Sequence, residues 1–251
     1  MLSPLEAANK PTAQPLRART GREHLEGFVV VGLPFSSGDL LCLRHFPETT
    51  IGPAYDSLWH RSPAGEWTIY TSIAPEQSCP RFIGAAATRV VRTPVEVEWT
   101  GPSELVARVP AEDLRWTMRL AGTPITRLMN AMMAMMPAVL YRSGLVLRVM
   151  SWMSTVMLAA GRFQLSGHVP NRQLCEAAPR RIWMIPEAHA SIAGRDFGRP
   201  GPLSAQTSLG DFALPQRGLF MVGGLSFEAY APTRHLPIPA AQPPRLALGP
   251  A

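Results

Sequence analysis

Apolar and polar residues alternate with a period of two along much of this chain. The alternation is clearest where Leu114, Trp116, Met118 and Leu120 point one way and Arg115, Thr117 and Arg119 the other. Just upstream, Val95, Val97 and Trp99 alternate with Glu96 and Glu98 in the same manner. With the turns TGPS and PAED between them, VEVEW, ELVARV and LRWTMRL read as a three-strand meander with one buried and one wet face. Earlier in the chain, GFVVVGLPF and LLCLRHF supply two strands around the turn Ser36–Asp39. SLWHR and EWTIYTSI flank Ser62-Pro63-Ala64-Gly65, a hairpin signal with Gly near its end. Towards the C-terminus RFQLSGH, RIWMI, AHASI, LGDFAL, GLFMVGG and LSFEAY read as further short strands. Many short strands separated by turns predict a barrel or sandwich.

Residues 123–161 break that rhythm. Nine of the 12 methionines lie between Met118 and Met157, and from Leu128 to Ala160 only Arg142 and Arg148 are charged. Thr123 at an N-cap and Pro124 at the first helical position open a helix that Pro137 stops or kinks. Ser143-Gly144 separates it from a second helix over about Leu145–Ala160, closed by Gly161. Three readings of this pair are open. A membrane-crossing hairpin needs about 20 apolar residues per helix, and the uncharged runs Leu128–Tyr141 and Val149–Gly161 are shorter. A buried pair could simply fill gaps in a core. Alternatively the helices cap a barrel, their methionines lining an apolar cavity or touching lipid, while Arg142 and Arg148 reach toward solvent or headgroups. Methionine is unbranched and polarizable, so it adapts to apolar partners of differing shape.

The chain of 251 residues divides into a mobile N-terminal tail (1–22), a β-barrel domain (23–231) carrying the helical insert (123–161), and a C-terminal tail (232–251) with six prolines in twenty residues. The formal net charge of +6 raises the question of nucleic acid. Lys10 is the only lysine, the arginines are scattered singly, and no nucleic-acid-binding motif is seen, so nucleic acid is not expected as a partner. Cys42, Cys79 and Cys175 are odd in number and far apart, which fits neither a disulfide framework nor a zinc site. No apolar stretch of signal type stands at the N-terminus, and the expected location is the cytoplasm.

Dinucleotide, phosphate-loop, nucleophile-elbow and zinc-helix motifs are missing, and the six histidines have no metal-ligand spacing. Neither a metal nor a cofactor is therefore expected. The polar candidates are Asp56 and His60, four apart on one strand and so on one face beside Trp59, and the segment Asp211–Gly218. There Asp211, Gln216 and Arg217 accompany Phe212, and a buried carboxylic acid with a raised pKa can donate a proton. Plain structural readings stand beside these: Asp56 capping its own turn, and Asp211 in a loop ion pair with Arg217. Asp211, Asp56 and His60 are the catalytic candidates. Trp59, Tyr70, Trp116, Met132, Met136, Trp152, Phe212, Gln216 and Arg217 are the candidate ligand-binding residues.

Four segments, WHRSPAGEWTIYT (59–71), VEWTGPSELVARVP (97–110), GRFQLSGHVPNRQ (161–173) and GDFALPQRGLF (210–220), resemble a family of uncharacterised bacterial lipocalin-like proteins. More distantly the chain resembles the calycin-like superfamily that includes carotenoid 1,2-hydratases of the hydroxyneurosporene synthase type. The resemblance implies a mainly β protein, an antiparallel lipocalin-like barrel or two barrel halves, enclosing an isoprenoid-, lipid- or polyketide-like molecule. It also implies cofactor-free hydration, cyclisation or isomerisation by an acid. The alternatives are a non-catalytic lipid carrier whose helical pair is a membrane-facing gate, and a homo-oligomer joined through the methionine block.

Overall fold

A single curled sheet dominates the computed structural model, which describes residues 2–10, 21–137, 140 and 143–243. Within the segment read as a tail, α1 (Pro4–Asn9) is a capped helix that buries Ala7. The strands follow as β1 (Arg22–Pro34), β2 (Leu40–Thr49), β3 (Tyr55–Arg61) and β4 (Trp67–Thr71). The short helix α2 (Pro80–Ile83) precedes β5 (Arg89–Arg92), β6 (Glu96–Gly101), β7 (Glu104–Val109) and β8 (Leu114–Ala121). The helices α3 (Pro124–Met135) and α4 (Gly144–Leu158) come next. They lead to β9 (Ser166–His168), the long β10 (Leu174–Ile192), β11 (Arg195–Asp196), β12 (Ser208–Leu209), β13 (Phe212–Ala213) and β14 (Gly218–Glu228).

The order across the sheet is β5-β4-β3-β2-β1-β14-β10-β8-β7-β6, with β9 and β11 attached to β10. All of these pairs are antiparallel except β4 with β5. The expected closed antiparallel barrel is thus corrected to a mixed half-barrel whose edge strands, β5 and β6, are not paired to each other among the described residues. The two halves of the chain are not separate barrels either. β14 pairs with β1 (Val30 opposite Phe220) and with β10 (Trp183 opposite Phe220), so the C-terminal strand joins both halves into one sheet.

Curling follows from what the inner face must bury. One hydrophobic cluster draws on all ten strands, including Val91 of β5, Leu58 of β3, Leu43 of β2, Phe220 of β14, Trp116 of β8 and Trp99 of β6. Phe28 on β1 stacks edge-on against Trp99 at 5.8 Å, although four strands lie between theirs in the sheet. Strands that far apart touch only across the hollow of a rolled sheet, and here the hollow is filled. The expected meander and hairpin both form as read: Leu114, Trp116, Met118 and Leu120 are buried in alternation, and Ser62–Gly65 joins antiparallel β3 and β4. RIWMI and AHASI, read as two strands, are one strand of 19 residues. Irregularities at Pro179 and between Met184 and Glu187 bend it, and these hid its continuity from a period-two reading.

The outer face is wet over β6–β8, where Glu98 and Arg108 pair at 2.8 Å. It is covered over the rest. The α3 N-terminus has the expected cap: Thr123 accepts from the backbone of Thr126, with Pro124 at the first position. The helix ends at Met136, just before Pro137, and α4 ends on Ala159 in the left-handed region with Gly161 close behind. The side-chain amide of Asn130 fixes α3 to the sheet. It donates to the Ile182 carbonyl at 3.0 Å and accepts from the Ile182 N–H at 2.8 Å, where β10 has no neighbouring strand on that side. A buried backbone pair left open would cost more than the bonds contribute when made. Asn130→Leu is therefore expected to lower stability by about 1–3 kcal/mol, read as an earlier midpoint in urea.

Candidate ligand-binding site

Beneath the helical pair lies an apolar chamber of about 260 Å³. Its walls are Met129, Met132, Met133 and Met136 from α3 and its C-terminal end, and Leu145, Val149, Met150, Met153 and Leu158 from α4. Phe163, Pro179, Ile182, Leu219 and Met221 form its floor on the outer face of β10 and β14. Ser154 is the one polar side chain in the lining. For scale, an engineered apolar cavity of about 150 Å³ holds benzene. Hydroxyls on α4 hold the far wall: Ser151 accepts from the Leu165 N–H and Thr155 from the Phe163 N–H, each at 3.0 Å.

A second chamber, of about 120 Å³, shares Phe163 and Met221 with the first. It runs along the outer face of β1, β2 and β14 and is roofed by α2 and by the segments around Leu165 and Leu214. Phe46, Trp59, Phe82 and Phe212 are among its walls, and so is Arg44. The Arg44 side chain is forced here by strand alternation. Leu41 and Leu43 take the inner face of β2, which turns Cys42, Arg44 and Phe46 outward under the roof. Arg44 is only 7% exposed. Its Nη1 donates to the carbonyls of Val30 (2.5 Å) and Leu43 (2.9 Å), and its guanidinium lies 4.0 Å from the centre of the Trp59 ring. Burial pulls its pKa down. Nothing in the sequence pattern singles Arg44 out except a charged residue inside the otherwise apolar run of LLCLRHF.

The residues chosen from sequence distribute unevenly over this site. Met132 and Met136 line the large chamber, and Trp59 and Phe212 the small one. Trp116 and Tyr70 are instead in the inner core, since they alternate with outward residues on β8 and β4. Trp152 points to solvent at 67% exposure, one side of α4 away from the chamber. Gln216 ties down a loop by bonding both the N–H and the carbonyl of Leu203, and Arg217 is exposed. Among the described residues, the ion pair of Asp211 is with His168 and not with Arg217.

Asp211 is half exposed and accepts from the backbone and the ring of His168, at 2.7 and 3.1 Å. Those hydrogen bonds, the backbone one foremost, hold its carboxyl below the usual range, the reverse of what a proton donor needs. Asp56 and His60 do share the inner-facing side of β3 with Leu58, but they are not a pair. Asp56 binds His45 at 2.7 Å, while His60 binds the fully buried Asp39 at 2.6 Å. Asp39 also takes two bonds from Arg195 (2.8 and 2.9 Å) and one from Ser37 (2.7 Å). Here Ser37 donates to the carboxylate rather than to the histidine, so the cluster is an ion-pair network and not a nucleophile with its base. None of these carboxylates or histidines lines either chamber.

The titratable groups that do line the small chamber are Arg44, Cys79 and Cys175. Burial pushes both thiols up, so they stay protonated and unreactive. All three cysteines are unpaired and buried. Among the described residues, no three His, Cys, Asp or Glu side chains converge as a metal site would require.

No protein-family profile matches the chain, and no curated protein matches it in sequence. The lipocalin-like resemblance is thus not reproduced by either comparison. A solved structure of acetoacetate decarboxylase from Legionella pneumophila is similar over 91% of this chain and 92% of that chain, with a TM-score of 0.38 and 9% identity. Likeness at that level assigns neither site nor chemistry.

The Asp39 network generates a pH test. Burial works to raise the Asp39 pKa, but hydrogen bonds from Arg195, His60 and Ser37 outweigh it and hold the carboxyl well below the usual range. A depressed folded-state pKa contributes stability that is present above about pH 4, the ordinary value for Asp, and is lost as pH falls below it. Asp39→Asn should therefore cost about 3 kcal/mol at neutral pH and flatten the decline of stability with pH below 4. Chemical denaturation at stepped pH reads both effects.

Proposed function

We propose that the protein is a carrier that holds an apolar small molecule between the outer face of the sheet and the methionine helices. The observation that carries this reading is the pair of adjoining chambers, lined almost wholly by apolar side chains, of which seven in the larger one are methionine. An adaptable lining suits a lipid- or isoprenoid-like chain rather than a rigid polar substrate. Hydration, cyclisation or isomerisation by an acid is the less supported reading, because the acids in question lie outside both chambers. Water would have to be excluded from a carboxylic acid to make it a donor, and Asp211 is open to solvent.

The outer side of the same helices supports a lipid surface as the place of loading. Among the described residues, the exposed large apolar side chains are Ile125, Leu128, Met132, Met135, Leu140, Leu145, Val149, Trp152 and Val156, all in this block, and of these Met132, Leu145 and Val149 line the chamber as well. No acidic residue occurs from Leu114 to Cys175, while Arg127, Arg148 and Arg162 are exposed there. Arg142, assigned the same role from sequence, lies outside the described residues. No helix among the described residues is long and apolar enough to cross a membrane. A pair of helices that is apolar outside and fringed by arginine suits the interface of an anionic bilayer.

Two outcomes test this reading. Met132→Glu should abolish uptake of the neutral fluorophore N-phenyl-1-naphthylamine while the circular dichroism melt is retained, and Asp211→Asn should leave uptake unchanged. Undiminished uptake by Met132→Glu would remove the chamber from consideration. Wild-type protein should float with phosphatidylglycerol vesicles and less with phosphatidylcholine vesicles, and Trp152→Glu should stay in the pellet fraction. A stable dimer that fails to float, with Trp152 shielded from acrylamide, would favour a homo-oligomer joined through these helices instead.

A further inference from the structure

The small chamber carries one feature that a purely apolar ligand leaves unexplained. Arg44 is more than nine-tenths buried, and among the described residues it pairs with no carboxylate. Its neighbours of opposite charge would have to be Cys42, Cys79, Cys175 and Tyr55, the groups that surround it electrostatically. Burial keeps all four protonated and neutral. A cation removed from water without an anion is costly, and the usual remedy is a partner of opposite charge with matching hydrogen bonds.

The guanidinium is only half engaged. Nη1 is spent on the Val30 and Leu43 carbonyls, and one ring face is covered by Trp59. Among the described residues Nε and Nη2 donate to no protein atom, yet neither is sealed off as a buried unpaired donor. Those two N–H groups form the side-on edge of the fork, the edge that takes both oxygens of one carboxylate in parallel bonds. The remaining lining beside it is apolar apart from Gln164 and the two neutral thiols.

We propose that the side-on edge of Arg44 anchors the carboxylate of an amphipathic acid, whose apolar tail passes Phe163 and Met221 into the methionine chamber. The inference rests on the carrier reading and narrows it, from any apolar molecule to a fatty-acid-like one. A single cation and two free donors suit a monoanion; a phosphate monoester, with greater charge and more acceptors, would call for more of both. Nothing covalent is involved. The acid enters as its anion, the arginine keeps its proton, and charge balances within the chamber.

Titration calorimetry on the full-length, delipidated protein tests this with three probes of one tail length: dodecanoate, dodecan-1-ol and dodecyl phosphate. Wild type should bind dodecanoate roughly 10- to 100-fold more tightly than the alcohol, the range of a charge-assisted pair of bonds. Arg44→Met, which keeps the volume and removes the charge, should erase that preference while the alcohol still binds. If Arg44→Met fails to fold, Arg44→Lys takes its place, because an ammonium keeps the charge without the two-donor edge; the preference should then fall by about tenfold or more. Equal binding of acid and alcohol by wild type, or a preference unchanged by substitution, would overturn the role of Arg44 and leave the carrier reading standing. Dodecyl phosphate binding more tightly than dodecanoate would overturn the carboxylate assignment. Failure of all three probes would remove the carrier reading together with this one.

Discussion

The whole arrangement depends on the inner face of the sheet being full. Ten strands each give one side to a single aromatic-rich core, and rings from β1, β6, β10 and β14 meet across it. Interiors packed to that degree leave few voids larger than a water molecule. The two chambers lie instead on the outer face of the sheet. The outside of a sheet offers a cavity only where something spans it. The helical insert and the α2 roof are what span it here. On the proposed reading, a ligand would sit on the convex side rather than in the hollow.

Alternation along a strand then decides which side chains the ligand can meet. Residues 41 and 43 of β2 are committed to the core, so residues 42, 44 and 46 turn to the other face, where Arg44 and Phe46 line the roofed chamber. Arg44 cannot avoid burial without shifting the strand by one residue, which would turn Leu41 and Leu43 out of the core. A charge fixed in an apolar chamber by register, rather than by chance exposure, is a standing demand for an anion. The Asp39 cluster meets the same demand internally, with three donors around one carboxylate. Arg44 meets it only in part, with two carbonyls and an aromatic face.

What the sequence made legible was local. The meander, the Ser62–Gly65 hairpin, the capped helix at Thr123 and the stop before Pro137 each depend on neighbours within a few residues, and each is present. For the methionine block the sequence leaves three arrangements open, and in the structure Met132 and Met136 line a chamber. Long-range facts were not legible. No pattern says that β14 returns to pair with β1, or that β4 and β5 run parallel. Strand alternation tells which residues share a face but not which face is the hollow, and so Tyr70 and Trp116 were assigned to a ligand and found in the core. The Asp56 and His60 pairing failed for a related reason. Sharing a face is necessary for contact, yet each found a partner on another element, His45 on β2 and Asp39 at its start. Composition singles out the apolar insert and passes over the buried Arg44.

The helices carry a further consequence of having two apolar sides. An amphipathic helix on a folded domain ordinarily shows a polar back to water, and one that is apolar all round ordinarily lies inside something. α3 and α4 face a chamber on one side and present Leu128, Met135, Trp152 and Val156 on the other. The hydrophobic effect that would press such a pair onto the sheet is weakened by the void beneath it, because the contacts missing at the chamber are contacts the helices do not make with the floor. Attachment combines the apolar cluster of Met129, Met133, Leu147 and Leu158 with Ile182, Leu219 and Met221 of the sheet and a few polar bonds, Asn130 to Ile182 and the α4 hydroxyls to Phe163 and Leu165. On the carrier reading, a helical pair with apolar surface above and below would lose less by lifting when the medium above it is as apolar as the ligand below. In water the same opening would expose both sides at once. The composition that makes the insert look misplaced on a water-exposed protein is thus what would couple release of a ligand to contact with lipid.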